Sequence, residues 1–481
     1  MSVIDKIRQL NNKLTSSNLI RGIFWNFFGN IVARTANLIA SIYVAYFLTK
    51  EEYGQLGFLR STISTFVIFG TFGFGIAATK FFAGDEFKDK RGDYGIVIRT
   101  FSFLVAFIIS LFLVIFVEPI AVKMGGGPEL ILPLKITAIS VLFLSLNGVQ
   151  NGILVGLQKF KDAAKSLSIS SILSAIITIV LTKYYKLEGY AVGFAIGSLF
   201  NWAICYYFIR TYSIDFKIHF SNLKKTINDV LKISIPAILS GLVVMPITWY
   251  SNSVIINTSN GLESLGTYNA ISNITAITLA VISIISQAVL PFAIKNFNKN
   301  NLKFELFNYY APWLIGVGFS IPLILFPEIV ALVYHNKYAG LEVERTAILV
   351  GLCTIIISQR QGIAKNFVAS GKMWISFWGN AVWGILLIIS LYFLKDLKAF
   401  GYALSFLIAY LINSLVFIPL YIKLKLIDRS LVYSKIGFLL SILSIIGGFA
   451  GYYLPIVPRI LIFVIIMVCL VKIVQKLIKE K

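Results

Sequence analysis

Long apolar runs separated by short polar ones dominate the chain, and their lengths set the elements. Windows of about 19 residues on a transfer scale predict fourteen helices. They lie near 20–48, 57–82, 95–117, 131–156, 166–184, 189–210, 233–257, 265–292, 309–327, 345–369, 373–394, 400–422, 434–454 and 457–475. A membrane-spanning helix uses roughly 20 apolar residues, and each run is close to that length. The fold class expected is therefore all-α, a polytopic membrane protein with 14 transmembrane helices. The closing pair is separated only by Pro455-Ile456-Val457-Pro458. The first run is long, follows a polar lead and has no small-residue cleavage site, so it is expected to be retained as a helix. Within the lead, Ile4, Ile7, Leu10 and Leu14 recur with Lys6, Arg8 and Lys13 between them. That pattern predicts a basic amphipathic leader over 1–18, suited to an anionic membrane face or to plain solvation.

Composition sharpens this. Hydrophobic residues make up 58% of the 481 and charged ones 13%, about half the usual 25% of a soluble domain. Lys and Arg number 43 against 21 Asp and Glu, a net charge of +22. A chain so apolar with such an excess is not a soluble enzyme, a disordered tail or a simple nucleic-acid binder. Sorted by loop, 27 basic residues fall at the two termini and after even-numbered helices, and 9 fall on the opposite side. Basic residues stay cytoplasmic, so both termini are expected in the cytoplasm. Cys205, Cys353 and Cys469 all lie in apolar runs, and His219 and His335 stand far apart. Neither metal-ligand spacing nor a P-loop is present, and no metal or cofactor is expected. Glu342 and Glu344 read as a solvated loop face.

The chain also resembles itself at an offset of 212 to 215. Glu51-Glu52-Tyr53-Gly54 is echoed by Glu263-Ser264-Leu265-Gly266, Gly29 by Gly241, and Asn151 with Gly156 by Asn366 with Gly371. An offset of six helices preserves orientation, which predicts two parallel six-helix lobes with the substrate between them near the midplane. The expected organisation is the leader 1–18, an N-lobe over 19–211, a cytoplasmic linker 212–232, a C-lobe over 233–424, and two extra helices over 434–475. Pro236, Gly241 and Pro246 interrupt the seventh helix, which ends on Ser251-Asn252-Ser253. Proline in a span frees backbone groups that need partners in protein or a wet cavity. These three residues are candidates for a hinge or gate, with a static packed kink as the alternative.

Seven basic residues remain in or just inside helices: Arg21, Arg34, Arg60, Arg99, Lys135, Arg360 and Lys365. Four of them, Arg21, Arg60, Arg99 and Lys135, are near enough to a surface to snorkel. Arg34 and Arg360 lie deepest, where a charge costs about 2.5–3.5 kcal/mol on insertion scales. All 21 acids fall in loops or at helix ends, so no buried carboxylate is in sequence reach of either arginine. The reading that follows is an anionic ligand that comes and goes, with structural pairing to carbonyls as the alternative. The missing intramembrane acids also weigh against coupling through a proton- or sodium-binding carboxylate.

Particular segments then resemble a known family. Phe47-Leu48-Thr49-Lys50-Glu51-Glu52-Tyr53-Gly54, the run Gly73-Phe74-Gly75-Ile76-Ala77-Ala78-Thr79-Lys80-Phe81-Phe82-Ala83, Ile235-Pro236-Ala237 and Glu328-Ile329-Val330-Ala331-Leu332-Val333-Tyr334 resemble prokaryotic polysaccharide transporters. These are the lipid-linked O-antigen flippases (Wzx type) of the multidrug, oligosaccharidyl-lipid and polysaccharide exporter superfamily. The resemblance implies two lobes around a cavity, alternating access, no enzymatic activity, and a polyprenyl-diphosphate-linked oligosaccharide moved to the outer leaflet of the cell membrane for surface polysaccharide synthesis. Membrane lipids and other polysaccharide-assembly proteins are the implied partners. Lipid II flippases of the superfamily hold diphosphate with arginines on their first two helices, positions that Arg34 and Arg60 match by helix. Arg34 and Arg360 are the expected anion-binding residues, one per lobe, for diphosphate or anionic sugar, with Arg60 and Lys365 as weaker candidates. The alternative is a cation-coupled multidrug antiporter, which a basic cavity disfavours. A membrane-embedded glycosyltransferase or polymerase is a further alternative that would call for catalytic acids in outward loops.

Overall fold

The computed structural model describes the backbone of residues 3–212, 223–239, 241–296, 302–370 and 372–479, with side chains from Phe24 onward at most of these positions. Every regular element among the described residues is a helix. In chain order the principal ones are α1 (Val3–Phe47), α2 (Lys50–Thr71), α3 (Phe74–Ala83), α4 (Arg91–Ile115), α5 (Ile131–Gly156), α6 (Phe160–Arg210), α7 (Leu223–Leu239), α8 (Gly241–Ile256), α9 (Gly261–Asn296), α10 (Leu302–Leu325), α11 (Leu341–Ser370), α12 (Met373–Leu394), α13 (Lys398–Lys423), α14 (Lys435–Tyr453) and α15 (Ile456–Lys479). Nine described segments are long and apolar enough to cross a membrane, or ten when the bent pair of α2 and α3 is counted as one. The chain is a multi-pass, all-helical membrane protein.

Two of those nine segments fold back on themselves. Within α6, Tyr185 and Lys186 leave helical geometry, with φ −118° and +51°. Gly189 backs onto Leu181, Gly193 onto Thr178 and Gly197 onto Ser174, and Ser166 meets Cys205 at 2.9 Å. One partner's number falls as the other's rises, so the two arms are antiparallel. The turn at Lys398 (φ +56°) does the same for α12 and α13: Gly401 backs onto Leu394 and Gly379 lies against Phe417 and Tyr421. In both hairpins glycine lets backbones approach, which is how helices associate where lipid is as apolar as leucine.

The helix expected over 57–82 is instead two, bent by 46°. Phe72 (φ +41°) and Gly73 (φ +70°) take up left-handed backbone at the break, which glycine adopts freely and phenylalanine does not. From Val3 onward the expected leader is the first part of α1. The linker 212–232 lies partly outside the described residues; its part from Leu223 onward is already α7. Residues Glu342 and Glu344 occupy the first turn of α11, where carboxylates suit the helix dipole, so the loop over 328–344 is shorter than expected.

Contacts divide the chain into two units. The first comprises residues 1–44, 62–122 and 128–242. Its core gathers Phe74, Phe81 and Phe82 of α3, Tyr94, Val97 and Ile98 of α4, and Val149, Ile153 and Leu154 of α5. Tyr94 stacks on Phe81 at 3.9 Å and donates to Asp229 at 3.0 Å, which ties α7 to α4. Gly75 and Gly152 face each other across α3 and α5, so closely that a Cβ on Gly75 would stand 2.7 Å from the Gly148 carbonyl.

The second unit comprises residues 45–61, 123–127 and 243–481. Its core runs from Tyr310, Trp313, Val317 and Ile321 of α10 to Leu440 and Leu443 of α14 and Ile466 and Leu470 of α15. On the opposite face α15 turns Val457, Leu461, Val464 and Val468 outward, a helical stripe fit for lipid. The start of α2 crosses α9 within this unit. Gly54 meets Leu262 and Gly266, and Gly266 meets Lys50 and Gly54. These are pairs exchanged by the 212-residue offset, so the repeat reappears as a local two-fold contact. Lys50 pairs with Glu263 at 3.0 Å beside it, and Asn273 donates to the Tyr53 hydroxyl at 2.5 Å. Gly266→Val should place methyl groups on the Lys50 carbonyl and destabilise the protein by about 1–3 kcal/mol. A lowered midpoint of thermal unfolding in detergent is the expected result, and an unchanged midpoint would show the crossing to be slack.

Candidate functional site

Within the second unit α11, α12 and α13 enclose a cavity of about 240 Å³. Arg360 and Gln361 contribute from α11, Ser376, Asn380 and Trp383 from α12, and Tyr410, Asn413, Ser414, Phe417 and Tyr421 from α13, with Val244 of α8 at the rim. Helical periodicity explains the α11 contribution: Arg360, Ala364 and Phe367 follow at i, i+4 and i+7, one face of the helix.

Among the described residues Arg360 is the only cation in the lining, and no Asp or Glu lines it. Its Nη1 donates to Asn413 Oδ1, and the guanidinium lies 5.7 Å over the Tyr410 ring, within cation–π range. Asn413, fully buried, donates in turn to the Gly379 carbonyl at 2.8 Å. One amide thus joins α11, α12 and α13. Trp383 packs on Tyr410 at 5.2 Å, and Tyr421 packs edge-on to Phe367 at 5.0 Å, giving the cavity aromatic walls. The Trp383 Nε1 and Ser414 Oγ are buried without a hydrogen-bond partner among the described residues. Elsewhere on α11, Asn308 reaches the Gly362 carbonyl at 3.2 Å and Asn366 reaches the Leu426 carbonyl at 2.7 Å, so the helix is pinned on its far side.

The other expected residues are dispersed. Lys365 is also buried, 6% exposed, but five residues beyond Arg360 amount to about 500° of rotation at about 100° per residue, some 140° round the helix. It is absent from the cavity lining. Arg34 is exposed on α1 in the first unit, and Arg60, half-buried on α2, belongs to the second. Arg60 sits near the Tyr334 phenol, whose pKa burial pushes up and the Tyr53 hydroxyl raises further, while the Arg60 charge opposes both. Pro246 lies inside α8, Gly241 opens that helix, and Pro236 lies in α7. Charge counting over the sequence missed Asn413, Trp383 and Ser414, which are neutral. Their signal was amides and hydroxyls inside otherwise apolar runs.

Residues 19–297 match the sequence model of the family described as polysaccharide biosynthesis protein. The chain belongs to that family. Among solved structures, this polysaccharide biosynthesis protein resembles the lipid II flippase MurJ in its inward closed conformation. The TM-score is 0.69 at 18% identity, over 95% of this chain and 99% of that one. It also resembles an inward-facing multidrug resistance MATE family transporter of the MOP superfamily, with a TM-score of 0.64 at 16% identity over 84% and 96%. A MOP superfamily transporter from Pyrococcus furiosus, described as having a binding pocket of reverse polarity that suggests a different function, aligns with a TM-score of 0.59 at 16% identity over 87% and 96%. No curated protein matches the chain in sequence. The polysaccharide biosynthesis protein therefore shares its fold with a lipid II flippase and with transporters of the MOP superfamily.

Removing the Asn413 amide takes away the partner of Arg360. Asn413→Ala should cost about 1–3 kcal/mol, read as a lower melting midpoint. Asn413→Asp keeps an acceptor for Arg360 but can no longer donate to the Gly379 carbonyl, so it should recover part of that loss; no recovery would show that the Gly379 bond is what Asn413 contributes.

Proposed function

We propose that this polysaccharide biosynthesis protein is a flippase that moves a polyprenyl-diphosphate-linked oligosaccharide from the cytoplasmic to the outer leaflet by alternating access, for cell-surface polysaccharide synthesis. The observation that carries the reading is Arg360: a half-buried guanidinium in a cavity with no acid among the described lining residues. A buried charge needs a partner, and a neutral amide is a partial one. An anionic cargo completes it. Family membership makes a lipid-linked saccharide the anion of choice.

In this reading the chain crosses the membrane fourteen times, each hairpin counting as two spans, the bent pair of α2 and α3 as one, α7 with α8 as one, and α11 as one. Lobes over 19–211 and 233–424 flank the cargo, and both termini are cytoplasmic, as the basic loops require. Arg34, Arg60 and Lys365 are the candidates for meeting diphosphate outside the Arg360 cavity. Pro236, Gly241 and Pro246 supply the flexing segment, and the boundary between the contact units at 242–243 falls among them. The prenyl chain stays in lipid while the head group moves.

The fold neighbours that are multidrug transporters favour a second reading, a cation-coupled drug antiporter. The cavity charge opposes it, because Arg360 repels cationic cargo. Reconstitution in proteoliposomes with a fluorescent polyprenyl-diphosphate oligosaccharide separates the two. Wild type should expose the label to the far leaflet. Arg360→Ala should slow this about tenfold or more, equivalent to roughly 1.4 kcal/mol, and Arg360→Glu should abolish it at normal membrane insertion. Unchanged movement in Arg360→Glu would sink the role of the residue. Export of a cationic dye with no lipid movement would replace the flippase by the antiporter.

A further inference from the structure

The donors around Arg360 specify more than an anion. Arg360 commits one N–H to Asn413, and a guanidinium has five, so most of its fork is left for a ligand. The Trp383 Nε1 and Ser414 Oγ, both in the lining, are buried and unpaired within the described residues, and Trp383 is only 2% exposed. Buried polar groups without partners are rare in native proteins. Two unpaired buried polar groups in the wall of a cavity that also holds an arginine with N–H groups to spare mark a place where oxygens can be received. Asn380, which also lines it, has both a donor and an acceptor to offer.

Charge and size narrow the oxygens further. The described lining holds one cation and no anion. A diphosphate carries at least two negative charges, and one guanidinium would leave the surplus buried and unpaired. A single carboxylate matches both the charge and the two-pronged geometry of the arginine fork. The volume, about 240 Å³, equals roughly eight waters at about 30 Å³ each and falls below the range of about 300–1,000 Å³ for drug-sized ligands. One sugar ring fits this volume, and the open side of the cavity leaves room for a chain attached to it. Tyr410 offers a flat apolar surface to such a ring.

We infer that the cavity holds a single acidic sugar unit, a uronate, with its carboxylate on Arg360 and its hydroxyl and ring oxygens on Trp383, Ser414 and Asn380. The inference rests on the flippase reading only for the molecule that carries the sugar into the cavity. The anion has two conceivable sources, a sugar acid or a phosphate, and the choice of probes separates them.

Isothermal titration of the purified full-length protein in detergent with glucuronate, glucose and inorganic phosphate is the test. Glucuronate should bind saturably and at least about tenfold more tightly than glucose or phosphate, a difference of roughly 1.4 kcal/mol. Trp383→Phe and Ser414→Ala should each weaken glucuronate several-fold, and Arg360→Lys, which keeps the charge but loses the fork, should erase the preference over phosphate. Tighter binding of phosphate, equal binding of glucose, or no binding of glucuronate overturns the inference, as does unchanged affinity in both Trp383→Phe and Ser414→Ala. Each failure is distinct from failure of the flippase. Uronate binding without transbilayer movement of any lipid-linked sugar removes the flippase and leaves the site. Movement of lipid-linked neutral sugars without uronate preference removes the site and leaves the flippase.

Discussion

A guanidinium inside an apolar bundle has to find oxygen, and in this protein the oxygen belongs to an amide. The bond from Arg360 to Asn413 fixes the side chain without neutralising it, and the second bond from Asn413 to the Gly379 carbonyl spends the other end of the same amide on holding α12. A carboxylate at that position would bind the arginine more strongly and leave the cavity electrically satisfied at rest. The amide keeps the geometry and leaves the charge available. Cavity shape, aromatic packing and charge all rest on that choice, because Tyr410 packs against the same guanidinium and Trp383 packs on Tyr410.

Close backbone approach is the other constraint, and it comes from the solvent. Between helices in hydrocarbon there is no water to expel, so association depends on packing and on hydrogen bonds between helices. Glycine supplies the packing at each decisive junction: Gly75 with Gly152 in the first unit, Gly379 under Phe417 in the second, and Gly54 with Gly266 where α2 crosses α9. Hydrogen bonds supply the remainder, as when Tyr310 donates to the Leu431 carbonyl at 2.5 Å and Arg459 reaches Glu328 at 2.7 Å. The Gly54–Gly266 crossing is informative because its partners are related by the sequence repeat. A duplicated chain that packs on its own copy meets itself through equivalent residues, as here.

Helix positions were legible because length and hydropathy determine them: the arms of α6 and the pair α12 and α13 lie where their apolar windows lie. The turn between the arms was legible from the polar run Lys183-Tyr184-Tyr185-Lys186. The bend at Phe72–Gly73 was not, since the run continues apolar through it and only backbone torsion records the break. Arg360 stood out as a charge in an apolar run. Lys365 stood out for the same reason, yet its place 140° round the helix by the 3.6-residue period turns it from the cavity, a point the periodicity alone could have settled. Asn413, Trp383 and Ser414 gave no charge signal. Which neutral polar side chains share a cavity depends on how three helices are rotated against one another, and that is a property of packing, not of any one run.

The lone cation also bears on energetics. With its anion bound the cavity is neutral, and when empty it carries one positive charge. In the flippase reading the loaded site travels outward and the empty site travels back. Across an inside-negative potential a unit charge moving the whole distance gains or loses about 2.3 kcal/mol per 100 mV. Outward movement of the neutral, loaded site is indifferent to the field, whereas outward movement of the empty site is opposed and its return favoured. A resident carboxylate at position 413 would leave the empty site neutral, and both the affinity for an anion and the bias would go with the lost charge. In the flippase reading an asparagine in that position would serve the cycle twice: it would hold Arg360 in place for the anion, and it would leave the empty site charged so that the potential draws it home.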